Sequence, residues 1–341
     1  NNKWYNSSSF ADVRTFEKKI FNKIYQEILL RKKNKLKIKK NEKKQCYYNY
    51  GKTLTKHLIS PLMKKYTGSS LESLETNKRN LFNLSRFLIA DKNTTQKLKK
   101  NKFLNDIVGY NSYKEGLSGR RNFYPKKGGI ETLTSFFLKD KTKNKIQIHL
   151  KKYITKLKLK KNKISELILN NGETVTADLI VWTGNIRFLN DLLAIKNVNN
   201  VKKTIFWNFF HFISSKKLDN KVFYSYNYEK KNPIYRITYY DNFQKIKKIK
   251  SYRNTVEVVL PQKKNKNFFK NIISNLKIMG LVKKDVRLKL LDQYSIPYNI
   301  SQEKNKISKK IKRFKNLLIF GQAANKFSKE EIITDIYEKI K

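Results

Sequence analysis

A chain of 341 residues is long enough to bury a substantial core, and it implies one or two domains. A 39% hydrophobic and 13% aromatic share excludes a wholly disordered chain. Cys46, the single cysteine, excludes an intrachain disulfide and a cysteine zinc cluster. The formal charge is +51, and only 11 of the 77 basic residues are arginine. A protein built to grip phosphates is expected to use more arginine, whose planar fork binds them bidentately. Lysine runs along the whole chain beside abundant Asn and Ile, which reads as compositional drift at solvated positions. The functional alternative is attraction to nucleic acid or to an anionic membrane face. No apolar run approaches the roughly 18–20 residues of a spanning helix, and no leader peptide is visible. The expected location is the cytoplasm, with peripheral contact to a membrane as an option.

At the N-terminus, Ser7, Ser8 and Ser9 are candidates to cap a helix from about Phe10 to Leu30. Phe10, Val13, Phe16, Ile20, Ile24 and Ile28 recur three or four apart along it. Core packing is the reading, with an interfacial membrane helix as the alternative. Residues 31–45 are the densest basic run, read as a solvated loop or helix end; a lipid or nucleic-acid patch is the alternative. Leu54, His57, Leu58, Leu62 and Met63 predict a helix broken at Pro61. After the Thr67-Gly68-Ser69 turn, a capped helix is expected through Leu71 and Leu74.

The central stretch runs from Tyr124 to Asn185. Gly128 and Gly129 permit backbone conformations closed to other residues and close approach of a ligand. Ile130, Leu133, Phe136, Phe137 and Leu138 follow at helical spacing. Alternation at Ile146, Ile148 and Leu150, and again at Tyr153, Thr155, Leu157 and Leu159, predicts half-buried strands. Asn171-Gly172 is a hairpin signal. Leu179 to Trp182 is apolar throughout, as in a strand covered on both faces.

Beyond it, residues 186–200 predict a helix and loop, and strands are expected at 203–213, 221–228, 234–240 and 254–260. Phe268 to Met279 reads as a helix stopped by Gly280. Residues 285–298 hold a strand and a turn around Pro297, Leu317 to Phe320 a buried strand, and Ser328 the cap of a last helix whose first turn carries Glu330 and Glu331.

Several positions carry chemistry. Gly321 follows a strand and precedes a helix, a junction that offers backbone N–H groups to an anion. Thr183 and Gly184 end the buried strand, where open sheets bind cofactors; Gly184 reads equally as a turn glycine. Arg236 stands on a strand in a lysine-rich chain and invites a bidentate partner, phosphate or carboxylate; the alternative is a structural ion pair. Arg120 and Arg121 are weaker candidates for the same task, with solvated loop charges as the alternative. Tyr226, Tyr294 and Tyr298 can supply hydroxyls, or serve as core residues. His57, His149 and His211 lack metal-ligand spacing, and no catalytic acid or base stands out. The glycines at 51, 68, 109, 116, 119, 128, 129, 172, 184, 280 and 321 contain no G-x-G-x-x-G.

The order P-x-x-G-G-x-x-x-L at Pro125 to Leu133, a strand pair, then NGETVTADLIVWT at Asn171 to Thr183 resembles the middle of the FAD-dependent amine oxidase superfamily. That superfamily includes protoporphyrinogen oxidases, phytoene desaturases and UDP-galactopyranose mutases. NLLIFGQAANKFSKEEIITDIYEKI, from Asn316, is similar to its closing strand, glycine and helix. PIYRITYYDNF, residues 233–243, is similar to a stretch of the mutases.

The resemblance implies FAD as cofactor and a two-domain α/β architecture. One domain is a Rossmann-like FAD-binding fold, incomplete at its N-terminus because the fingerprint is missing; the other is an α+β substrate domain of helices on a mixed sheet. The segments expected are 1–119 (helical part of the substrate domain), 120–190 (FAD-binding), 191–309 (sheet part) and 310–341 (closing FAD-binding segment).

It also implies that Gly128, Gly129, Thr183, Gly184, Gly321 and Gln322 face the flavin nucleotide, and that the backbone of Tyr153 and Ile154 holds the adenine. Gln322 stands where relatives carry a charged residue, and Phe327 where mutases carry a tyrosine. Arg236, with Arg120 and Arg121, would bind substrate. The expected activity is hydride transfer from a small-molecule substrate to flavin. One alternative is a sugar-nucleotide mutase acting in surface polysaccharide synthesis, with a nucleotide sugar as substrate. Another is a non-catalytic basic binder of nucleic acid or anionic membranes; no specific nucleic acid is expected as partner of the enzyme.

Overall fold

The computed structural model describes residues 8–33, 39, 41–112, 125, 128–129, 131–139, 147–195, 204–219, 221–243, 251–300, 308–324 and 329–340. In chain order its strands are β1 (Ala11–Asp12), β2 (Phe87–Leu88), β3 (Ile154–Lys160), β4 (Lys163–Leu169), β5 (Thr174–Val175) and β6 (Ile180–Trp182). Then come β7 (Thr204–Ser214), β8 (Tyr224–Tyr226), β9 (Ile234–Tyr239), β10 (Tyr252–Leu260), β11 (Leu288–Asn299) and β12 (Leu317–Ile319). The chain folds as two units, residues 1–136 with 202–301 and residues 137–201 with 302–341.

The first unit is built on a five-stranded sheet in the order β11-β7-β10-β9-β8. All its pairings are antiparallel; parallel pairing in this unit occurs in the separate two-stranded sheet of β1 and β2, so the expected mixture of directions is divided between sheets. Alternation along β7 decides the faces. Phe210 and Phe212 join Val256, Val258, Ile234 and Ile237 under the helix Phe269–Ile278, which buries Phe269, Ile272 and Leu276. That helix stops at Gly280, whose φ of 73° only glycine adopts without strain. On the opposite face Ile205, Val259 and Tyr235 pack into the helical core of residues 11–108.

Those helices differ from the expected ones in ways that have local causes. Asp12 accepts the backbone N–H of Arg14 and holds its guanidinium at 2.7 and 2.8 Å. This turn commits Ala11 and Asp12 to pairing with β2, so the helix begins at Lys18 rather than near Phe10. Pro61 does not break its helix. The backbone widens into a π turn over Thr55–Ile59, where the Ser60 N–H reaches Thr55 five residues back, and Pro61 sits in the first turn of Ser60–Thr67. Leu71–Ser73 forms one 3-10 turn, not a capped helix. Pro297 likewise makes no turn. It lies within the twelve-residue β11, an edge strand, where a missing N–H is tolerated.

The second unit holds the three-stranded sheet β3-β4-β5 and the parallel pair β6 and β12. Gly172 turns the β4–β5 hairpin at φ 85°, as the Asn-Gly signal requires. Leu157, Ile164, Ile180, Trp182, Leu189, Phe314 and Ile319 form its core. The strand expected around Ile148 and Leu150 is absent. Both side chains are exposed, and Lys151, at φ 58°, turns the chain just before β3. β6 is covered on one face only, since Val181 is 47% exposed between buried Ile180 and Trp182. The helix Glu131–Lys139 forms as its spacing predicts, with Phe136 exposed. Ile146, Arg120, Arg121, Phe327, Ser328, most of the basic run at 34–38 and the side chains of Gln322, Glu330 and Glu331 lie outside the described residues.

A buried ion pair ties the helical core together. Arg79 donates to Glu42 at 2.8 Å and through Nε to the Tyr50 hydroxyl at 2.9 Å, and both charged side chains are at most 4% exposed. Removing one partner leaves a buried charge alone, which costs about 3–5 kcal/mol. Arg79→Ala is therefore expected to lower the denaturant midpoint sharply. The double variant Glu42→Leu, Arg79→Met should recover most of that loss, and equal midpoints for Arg79→Ala and wild type would contradict the assignment.

Candidate functional site

Register places the side chains on the face of the five-stranded sheet opposite the Phe269–Ile278 helix. Thr255 of β10 pairs with His211 of β7 and Thr238 of β9; Asp292 of β11 lies beyond His211, and Tyr224 of β8 beyond Thr238. In the next row Glu257 stands between Arg236 and Phe209, flanked by Tyr226 and Tyr294. One row further, Val259 and Trp207 enter the apolar core, where Trp207 stacks on Phe82 at 5.7 Å. The face thus passes from a closed end at Trp207 to an open end lined by Tyr224, Tyr240 and Tyr294, each more than a third exposed.

Glu257 is the hinge of this arrangement, buried to 5% side-chain exposure. One carboxylate oxygen accepts Arg236 Nε at 2.7 Å and Nη2 at 2.5 Å; the other accepts the Trp207 indole N–H at 3.1 Å. A carboxylate this deep survives only when paired and hydrogen-bonded. Burial alone would push the Arg236 guanidinium down, but the Glu257 carboxylate outweighs it and holds the value up. Arg236 also reaches the Tyr226 hydroxyl at 3.4 Å and lies over its ring, and its side chain stays 35% exposed.

A second chain of contacts runs beside the first. His211 Nδ1 meets Thr255 Oγ1 at 2.6 Å, and the Thr255 hydroxyl donates to the Tyr240 hydroxyl at 3.1 Å. The His211 ring lies 5.4 Å from Tyr294, which stacks on Phe209 at 4.9 Å. Burial pushes the His211 imidazole below its usual value, and the carboxylates of Asp292 and Glu257 pull it part of the way back. The ring is therefore neutral at pH 7.

In the second unit, β6 and β12 run parallel, and the Phe320 N–H donates to the Trp182 carbonyl at 3.0 Å. Thr183 and Gly184 are thereby brought beside Gly321 at the carboxyl ends of both strands, the position at which open α/β sheets take ligands. Gly321 is buried at φ 64°, and among the described residues nothing stands within 4 Å of where a Cβ would be. A hollow against bare backbone is what a cofactor chain approaching closely needs.

Neither a protein-family profile nor a curated protein sequence matches the chain. Solved structures do. A reduced UDP-galactopyranose mutase aligns with 84% of this chain at a TM-score of 0.58 and 12% identity, the chain spanning 60% of its length. A protoporphyrinogen oxidase candidate from Exiguobacterium aligns with 95% of the chain and 72% of its own at a TM-score of 0.58 and 13% identity. An oxidoreductase from Methanosarcina mazei aligns with 96% of the chain and 74% of its own at a TM-score of 0.54 and 12% identity. The chain shares the fold of these three structures.

Within this fold the expected site residues divide. Thr183, Gly184 and Gly321 come together. Gly128 and Gly129 take φ of 75° and 68°, and the Gly129 carbonyl accepts the Thr132 N–H that starts the next helix. Tyr153 uses its backbone on Asn170, accepting its N–H at 2.9 Å and donating to its side chain at 3.2 Å; Ile154 opens β3 against Leu169. Arg236 makes the structural ion pair that stood as its alternative reading, with Glu257, and its side chain stays 35% exposed. Glu257, Trp207 and Thr255 escaped the sequence reading, and His211 was read there only as lacking metal-ligand spacing, because only strand register brings the four to Arg236. Among the described residues no helix is long and apolar enough to cross a membrane.

Asp292→Asn should lower the His211 titration midpoint further, since the lost carboxylate favours the imidazolium. NMR titration of the His211 imidazole protons in wild type and variant checks this. An unchanged or raised midpoint would contradict the electrostatic assignment.

Proposed function

We propose that the protein is an FAD-dependent oxidoreductase whose open sheet face receives a small-molecule substrate. The observation that carries the reading is the hollow at Gly321, buried beside Thr183 and Gly184 at the ends of two parallel strands. These residues fit an extended dinucleotide, which needs backbone rather than side chains at its closest approach. Bound there, FAD supplies a hydride acceptor.

The remaining work falls to side chains of the first unit. Phe209 and Tyr294 offer an apolar platform that excludes water from a bound ring. Arg236, fixed by Glu257 and Tyr226, orients polar substrate groups through N–H donors left free on its outer edge. With the Thr255 hydroxyl donating to Tyr240, the His211 Nδ1–H donates to Thr255 Oγ1, which leaves Nε2 as an acceptor that can take up a proton. The sugar-nucleotide mutase alternative draws on Arg236 as a diphosphate clamp. Compensation of its charge by Glu257 favours the oxidoreductase reading instead.

Substitution of Gly321 separates this reading from a plain structural turn. In the purified protein, Gly321→Val is expected to weaken FAD binding at least tenfold by visible absorbance titration. Gly172→Val is the matched control: it also places a side chain at positive φ with open space around it, but in the β4–β5 hairpin. Equal loss in both variants, or no FAD binding by the wild type, would sink the proposal.

A further inference from the structure

Lysine makes up most of the 77 basic residues in this chain, yet the five strands β7 to β11 contain a single one, Lys289. Lys289 lies opposite Ile213, beyond the row of His211 and Asp292. The two rows from Tyr224 to Asp292 and from Tyr226 to Tyr294 hold aromatic rings, hydroxyls, one imidazole and the compensated Arg236–Glu257 pair. Burial does not explain the absence, because Tyr224, Tyr294 and Ile296 are all more than a third exposed. Solvated positions elsewhere in the chain have drifted to lysine; these have not.

Charge within the face is nearly balanced. Arg236 is neutralised by a carboxylate whose two oxygens are both engaged, His211 is neutral, and Asp292 at the margin is acidic. Among the described residues, a dianion over these two rows would meet no uncompensated cation; Lys289 and the Asp241-paired Arg253 stand one row beyond, so the dianion would shed water with little charge-assisted hydrogen bonding in return. A flat apolar body, by contrast, finds the stacked Phe209–Tyr294 pair, with the hydroxyl of Tyr226 in the same row and that of Tyr240, bonded to Thr255 from the turn after β9, to meet a polar edge.

Resting on the reading of this face as the substrate site, we infer that its substrate is an uncharged, flat ring compound with a hydrogen-bonding edge, and not a phosphorylated one. The probe pair 1-naphthol and 1-naphthyl phosphate carries the same ring with and without the charge. In isothermal titration at about 0.15 M salt, where long-range attraction by surface lysines is largely screened, naphthol is expected to bind at least tenfold more tightly than its phosphate. Tyr294→Ala should weaken naphthol binding at least fivefold, while Tyr294→Phe leaves it near wild type; Tyr294 is exposed enough that neither variant threatens the fold. Tighter binding of the phosphate, lost in Arg236→Ala, would overturn the inference. So would naphthol binding indifferent to Tyr294→Ala. The assay reads ring stacking whether or not flavin is bound, so failure here leaves the Gly321 test of FAD binding standing.

Discussion

The contact on which the candidate substrate face depends is the Glu257 carboxylate, held between a guanidinium and an indole N–H. Buried in the middle strand of the sheet, it cannot be left unpaired, so it dictates the position of both neighbours. Trp207 is anchored from the other side by the aromatic core of Phe82, Tyr66 and Tyr235. Packing in the helical layer is thus transmitted through one indole to one carboxylate, and from there to Arg236 on the open face. The same pairing decides the electrostatics: it turns a cation that could have gripped phosphate into an oriented, nearly neutral hydrogen-bond donor.

The molecule divides its labour between backbone and side chains. In the second unit the features that point to a ligand are a positive φ, a missing Cβ and the aligned ends of two parallel strands. In the first unit they are rings and hydroxyls set out by an antiparallel register. Likeness to solved structures at 12–13% identity shows that the fold persists where little of the sequence does.

Legibility in the sequence followed the range of the interactions. Asn171-Gly172, Gly280 and the alternation of β7, β9 and β10 act within a few residues, and each was readable directly. Gly321 and Thr183 were also readable, because a strand followed by glycine is a local pattern. Pro61 and Pro297 misled for one reason: proline signals a lost donor, but whether the loss matters depends on a π turn in one case and a sheet edge in the other. The partner of Arg236 was beyond reach. Glu257 is 21 residues away across a register shift in the β9–β10 pairing, and nothing in either segment announces that the two meet. The half-covered state of β6 was hidden too, since an apolar run shows what a strand prefers and not what lies against it.

Pro297 has one more effect. An unprotected outer strand of twelve residues would be a template on which another chain could add its own, copy upon copy. A ring nitrogen without hydrogen near one end, and a shift in pairing between Leu290 and Asp292 near the other, leave no long uninterrupted run of donors and acceptors along that margin. The sheet is thereby protected from edge-to-edge polymerisation, while its broad face stays open to small molecules.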